Sequence, residues 1–253
     1  MQVVEAMADS LVKLVDYAGQ YARRLSHDLD MRLKDDGSIV TNADEKVEAW
    51  LRTQLEKLAP GTKVWGEETG YSEAGDEGLW LVDPIDGTSN YSYGGPLWGV
   101  SVALYREGRI VMGAISLPDL DEIYLGIAGQ GATLNGEPIK PIKPGPILDH
   151  EPVNFPDGLI FRYPDQKWPG KHRSLGSFVV DATFVATQRL RALISHKIRL
   201  YDAAAGICIA REVGATVRYA DGTHFDERAH LDGKTIMKPF GFFPQDCNFK
   251  LKE

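Results

Sequence analysis

Apolar residues recur at three- and four-residue steps at the start of the chain. Val4, Met7, Leu11, Leu14, Val15, Ala18, Ala22 and Leu25 fall on one helical face. A second helix is expected to carry Val47, Trp50, Leu51 and Leu55 on its apolar side and to stop at Pro60-Gly61. The polar segment between them holds a turn signal at Asp36-Gly37. Beyond residue 61 the texture becomes β. Residues 63–65 and 79–82 read as short buried strands, and 98–105, 109–115 and 122–127 as an antiparallel meander with a turn at Glu107-Gly108.

Eight of the 14 prolines lie between Pro138 and Pro169, so this stretch is neither one long helix nor a central strand. It reads as the joint between an N-terminal α+β half, residues 1–137, and a C-terminal half, residues 138–253. The second half predicts a helix over 176–193, a short strand before Asp202, a helix over 203–213 and a strand pair turning at Asp221-Gly222. There is no internal repeat or low-complexity tract.

The chain has 253 residues, 43% hydrophobic and 25% charged, which is ordinary for a folded protein of one large or two modest domains. Its net charge of −8 opposes polyanion binding, so no nucleic-acid partner is expected. Cys208 and Cys247 form no disulfide framework or Cys-rich zinc site, and Cys208, inside an apolar run, is expected to be buried and reduced. Neither a signal peptide nor a membrane span is visible, so the expectation is a cytoplasmic protein with no membrane partner. The six histidines are scattered without metal-type spacing and are expected on surfaces or in loops.

Three acidic features carry candidate chemistry. Gly66-Glu67-Glu68-Thr69-Gly70 follows a strand, and taken alone it reads as a solvated loop. Asp83-Pro84-Ile85-Asp86-Gly87-Thr88-Ser89-Asn90 reads as a loop after a buried strand. Its flanking aspartates suit turn chemistry, yet two carboxylates this close need a cation or full hydration. Asp202 suits a helix N-cap, and its second oxygen leaves a ligand role open. Together Glu67, Asp83, Asp86 and Asp202 form an all-oxygen donor set without His or Cys, which favours Mg2+ over zinc. Two such ions about 4 Å apart clamp an in-line phosphoryl displacement. They would halve the formal charge of the chain. Backbone N–H groups of residues 87–90 would serve as an anion site, especially at a helix start.

The strings Trp65-Gly66-Glu67-Glu68, Asp83-Pro84-Ile85-Asp86-Gly87-Thr88-Ser89-Asn90-Tyr91 and Tyr201-Asp202-Ala203-Ala204-Ala205-Gly206, with Thr41-Asn42-Ala43-Asp44 upstream, occur in this order. With them the chain resembles the inositol monophosphatase family of Mg2+-dependent phosphatases over about residues 1–236. The resemblance implies an α+β or α/β fold, a layered α/β/α/β/α sandwich of the inositol monophosphatase and fructose-1,6-bisphosphatase type. It also implies a homodimer, lithium sensitivity and hydrolysis of a small phosphorylated metabolite by cation-activated water. Carried over, Glu67, Asp83 and the Ile85 carbonyl hold one Mg2+, and Asp83, Asp86 and Asp202 the second, with Glu67 sharing a weaker third ion. Thr88, backed by Asp44, orients the attacking water, while Gly87, Thr88 and Ser89 cradle the phosphate. Gly176 and Ser177 match a substrate-lining stretch, and Asp202 is likewise expected to border the substrate. Lys34 reads either as a phosphate or loop-gating contact or as a solvated lysine.

Departures from the family pattern bear on the substrate. Where members acting on inositol phosphate often carry a Glu seven residues before the last metal Asp, this chain has Ser195, and Phe178 replaces a small pocket-lining residue. Inositol 1-phosphate, histidinol phosphate, fructose 1,6-bisphosphate and 3′-phosphoadenosine 5′-phosphate therefore all stay open as substrates. A non-catalytic binding or regulatory member is opposed by the intact ligand set. Asp181, Asp226 and Glu227 read as exposed acids or as contacts for a cationic amine.

Overall fold

The computed structural model describes residues 2–34, 37–73, 75 and 77–252. Two antiparallel-paired short strands, β1 (Met31–Leu33) and β2 (Ile39–Thr41), separate the long helices α1 (Gln2–Leu25) and α2 (Asn42–Leu58). The side chain of Val4 and Asp36 of the expected turn lie outside what is described. Gly37 does turn the chain, its N–H donating to the Lys34 carbonyl at 2.9 Å. Helix α2 begins with a capping box: the Ala43 N–H donates to Thr41 Oγ1, and the Thr41 N–H donates to Asp44.

A seven-stranded sheet follows, made of β3 (Lys63–Gly66), β4 (Leu79–Asp86), then, beyond the short helix α3 (Thr88–Ser92), β5 (Gly99–Arg106), β6 (Arg109–Leu117), β7 (Glu122–Ile127), β8 (Gly131–Leu134) and β9 (Glu137–Pro138). The strands lie in sequence order, with β3 and β4 parallel and every later pair antiparallel, as the meander expectation required. Side-chain alternation distributes each strand between two cores. Trp80 and Val82 of β4 pack with Leu11, Val15, Val47 and Leu51 of α1 and α2, whereas Leu79 and Leu81 face the opposite side.

Beyond Pro138, where β9 ends, the proline-rich stretch holds only β10 (Pro152–Val153) and α4 (Asp157–Arg162), and β11 (Lys171–His172) follows it. Helix α5 (Phe178–Ala186), strand β12 (Leu193–Ser195), helix α6 (Leu200–Glu212), and strands β13 (Thr216–Tyr219) and β14 (Phe240–Phe243) complete the chain. The helix expected over 176–193 is thus shorter. Gln188 adopts φ 60, which is left-handed backbone and ends the helix. Helices α5 and α6 cover the second face of the large sheet, and the β12-β14-β13 sheet packs on them through Phe240 and Phe242. Outside that, α4 and the C-terminal segment close a third core around Phe155, Phe243 and Phe249. The order is helices, sheet, helices, sheet, and a thin outer helical layer. The core between the large sheet and α5–α6 draws on residues from both sides of the proline-rich stretch. Cys208 is buried there as a free thiol. Among the described residues no helix is long and apolar enough to cross a membrane.

Candidate active site

The site grows from the ends of two neighbouring strands. Glu67 follows β3 directly, and its N–H donates to the Val82 carbonyl of β4 at 3.2 Å. The sequence reading placed Asp83-Pro84-Ile85-Asp86 in a loop, but β4 continues through Asp86. The pairing with β5 shifts there, from Asp83↔Ser101 to Asp86↔Gly99, so three steps along β4 match two along β5. In a regular strand, residues three apart point to opposite faces. The extra residue of this bulge turns Asp86 to the α5–α6 side, which Asp83 also faces, and Pro84 is tolerated because a bulge spares a ladder donor.

Helix α6 brings Asp202 across to them. Asp202 is not the N-cap; Arg199 holds that position and Asp202 sits in the first turn, where its Oδ2 accepts the Arg199 N–H at 2.7 Å. The preceding Tyr201 packs edge-on against Trp65 of β3, ring centroids 5.5 Å apart, which docks the helix start on the strand. Glu67, Asp83 and Asp202 each then offer an oxygen within 4.8 Å of the others. Asp83 is only 2% exposed, and burial together with the charges of Glu67, Asp86 and Asp202 pushes its carboxyl well above the ordinary range. Asp202 is raised in the same way, by burial first and then by Glu67.

Asp86 stands at the edge of this group. Its Oδ2 accepts the Ser177 hydroxyl at 2.5 Å and the Val179 N–H at 2.7 Å at the start of α5. Burial outweighs these bonds and lifts Asp86 to about 6. The Ile85 carbonyl, proposed as a ligand, accepts the Thr88 hydroxyl at 2.9 Å. That hydroxyl also lies 3.3 Å from Oδ1 of the fully buried Asp44, whose Oδ2 is taken by Thr41. Desolvation raises Asp44 to about 6. Gly87 caps α3 with φ 85, and a Cβ there would lie 2.9 Å from Ser177 Cβ. Ser89 and Gly176 are exposed beside it. The side chain of Asn90, to which the sequence reading gave no role beyond its backbone N–H, clamps this corner by donating to the Leu97 and Leu175 carbonyls at 2.6 and 2.8 Å.

Lys34 is not a free solvated lysine. Its ammonium lies 2.8 Å from Glu67 Oε1 and 2.7 Å from Glu68 Oε1, a bridge between two carboxylates of the strand-end turn. Burial raises Glu68 to about 7 against the opposing pull of that lysine. Phe178 does not line an open pocket: it is buried against Phe240 and Phe242, at 6.1 and 5.7 Å. Ser195 is half-buried on β12. His230 is half-buried too, its Nε2 2.7 Å from Tyr219 Oη.

The exposure expected for Asp181 and Glu227 is overturned. Glu227 pairs with Arg211 through two bonds of 2.8 Å, and Asp181 lies on the inner side of α5, bonded to Asn154 through one oxygen only. A nonpolar neighbourhood raises Asp181 to about 7. Asp181→Asn keeps the shape and the acceptor for Asn154 while removing the charge. It is expected to stabilise the protein by roughly 2–4 kcal/mol at pH 8 and by less than half of that at pH 5, where the folded acid is neutral and only the unfolded carboxyl is ionised. Thermal melts at the two pH values check this, and an equal shift at both would count against a buried charge at Asp181.

A further residue was missed. Glu48 is fully buried one turn beyond Asp44 and holds the turn that carries Glu67. A signal was present, because Asp44 and Glu48 interrupt an otherwise apolar stripe of Ala43, Val47, Leu51 and Leu55.

Residues 3–241 match the model of the family described as the inositol monophosphatase family. An inositol-1-monophosphatase of Mesorhizobium japonicum is 32% identical over 233 residues, covering 83% of this chain and 85% of that protein. A fructose-1,6-bisphosphatase/inositol-1-monophosphatase of Aquifex aeolicus is 30% identical over 197 residues, 72% of each chain. Among solved structures, the extragenic suppressor protein suhB of Bartonella henselae superposes with a TM-score of 0.80 at 27% identity, covering 94% of both chains.

Proposed function

Since the chain belongs to the inositol monophosphatase family and is therefore a metal-dependent phosphoric monoester hydrolase, we propose that it works with two Mg2+ ions and acts on a small polyol or sugar phosphate, with inositol 1-phosphate first in rank. The observation that carries this is the convergence of Glu67, Asp83 and Asp202 within 4.8 Å, with Asp86 beside them. The donor set fits a hard divalent cation: every side-chain donor is a carboxylate oxygen, and Asp83 is buried with no cationic side chain among the described residues bonded to it.

In this reading Glu67, Asp83 and the Ile85 carbonyl hold one ion, and Asp83, Asp86 and Asp202 the other, with Glu67 sharing a weaker third. Bound there, Mg2+ supplies Lewis-acid stabilisation of charge on the phosphoryl and leaving oxygens. The protein's own part is orientation and proton handling. When the Thr88 proton points to Asp44 Oδ1, the Thr88 Oγ1 lone pair is free to accept a hydrogen bond from the attacking water and aim it at phosphorus, and Oγ1 takes the water's proton as its own passes to Asp44. Ionised Asp44, rather than its acid, serves this arrangement, and at neutral pH it is ionised because its carboxyl titrates at about 6. Backbone N–H groups at Gly87, Thr88 and Ser89 hold phosphate oxygens at the start of α3, and Gly176, Ser177 and Asp202 border the alcohol. A homodimer, a cytoplasmic location and inhibition by lithium complete the reading.

The test is phosphate release from inositol 1-phosphate, fructose 1,6-bisphosphate, histidinol phosphate and 3′-phosphoadenosine 5′-phosphate, with Mg2+ and with chelator. The expected result is Mg2+-dependent release, highest on inositol 1-phosphate and suppressed by lithium. Preference for the amine or nucleotide ester would move the substrate assignment, and release unaffected by chelator would end the cation reading.

A further inference from the structure

Glu48 lies on the buried side of α2 and is fully buried. A carboxylate stays in such a place only if its lone pairs find donors. Three of the four donors come from one turn. Oε2 accepts the Glu68 N–H at 2.7 Å, and Oε1 accepts the Thr69 N–H at 3.0 Å and the Thr69 hydroxyl. The fourth is Arg52, one helical turn on, with Nε at 3.2 Å. The strand makes room for this contact: a Cβ on Gly66 would fall 2.2 Å from Glu48 Oε1. The turn itself is closed by the Gly70 N–H on the Gly66 carbonyl at 3.2 Å.

We infer that Glu48 is a positioning residue for the cation site, fixing the turn after β3 so that Glu67 faces Asp83 and Asp202. This rests on the reading of those carboxylates as cation ligands. The next two N–H groups after Glu67 are pinned to α2, while the Glu67 N–H is pinned to Val82. Glu67 therefore presents its side chain from a backbone held on two sides. Both Glu48 oxygens accept from N–H donors, so glutamine cannot replace it: in either orientation its NH2 opposes a donor.

The experiment is calorimetric titration of the full-length chain with Mg2+, alongside melting in chelator and the Mg2+ dependence of phosphate release. Glu48→Gln is expected to weaken Mg2+ binding about tenfold or more. It should raise the Mg2+ concentration for half-maximal release while kcat at saturating Mg2+ falls far less. Thr69→Val, which removes a single hydroxyl bond, should shift affinity in the same direction by less, and it serves if the glutamine variant does not fold. Leu55→Val, two turns along the same buried stripe, should lower the melting temperature and leave Mg2+ affinity unchanged. Wild-type binding with unaltered affinity in both Glu48→Gln and Thr69→Val, melting aside, overturns the positioning role alone. A wild-type chain that takes up no Mg2+ overturns the cation reading, and this inference with it.

Discussion

Asp83→Asn is expected to cut Mg2+-supported phosphate release by at least about a thousandfold, roughly 4 kcal/mol of transition-state stabilisation, and at the same time to stabilise the metal-free protein at pH 8. The two effects have one origin. Asp83 is the buried centre of the cluster, and its charge is opposed by burial and by Glu67, Asp86, Asp202 and Asp44. Asparagine preserves the shape and still accepts the Ile85 N–H, which Asp83 Oδ1 does at 3.1 Å. It removes only the charge a cation needs. A melt of the variant in chelator, beside its phosphate release, separates loss of chemistry from loss of fold. Substantial activity in a folded Asp83→Asn protein would sink the assignment of Asp83 as the shared ligand.

The metal-free protein should lose stability as pH rises from about 4 to about 7, and Mg2+ should restore it most at the upper end. Burial holds Asp44 and Asp86 at about 6 and Glu68 and Asp181 at about 7, above the values these carboxyls have in the unfolded chain. Between those limits the folded state binds more protons than the unfolded one, so its stability declines with pH and the full cost is present above about 7. Asp226, which its bond to Arg228 holds at about 2, acts below this window. Binding at a hundredfold excess over the dissociation constant adds about 2.7 kcal/mol. The Mg2+-induced rise in melting temperature should therefore be larger at pH 8 than at pH 5, where protons compete for the same carboxylates. The share that the burial of Asp181 contributes should persist with Mg2+, since that residue is not among the proposed ligands. A melting temperature in chelator that stays flat or climbs from pH 5 to pH 8 would contradict the buried-carboxylate account.

Much of the fold was legible because it depends on local pattern. The stripes of α1 and α2 follow from 3.6-residue spacing, and the meander from strand runs separated by turn residues. The limits of α5 and α6 were less legible. The run 176–193 is apolar enough for a long helix, yet a left-handed Gln188 ends it early. The start of α6 was misplaced because Asp202 suits a cap, while Arg199 takes the cap position and Asp202 the first turn. Local propensity did not distinguish these two positions; docking of Tyr201 on Trp65 did.

The sequence by itself determined the chemistry on offer: oxygen donors without His or Cys, a glycine where α3 starts, a threonine after it, and an order of motifs that names the family. These are matters of residue type and short-range spacing, which a linear string carries. Only the tertiary structure decided which carboxylates meet. The β4 bulge turned Asp86 onto the face of Asp83, and packing of α6 across the large sheet, with Tyr201 docked on Trp65 of β3, delivered Asp202 from far along the chain. It also decided that Glu48 and Asp181 are buried, that Lys34 bridges two glutamates and that Phe178 belongs to the core. Burial and charge proximity arise from contacts between distant segments, and they set the raised carboxyls and the pull toward a cation.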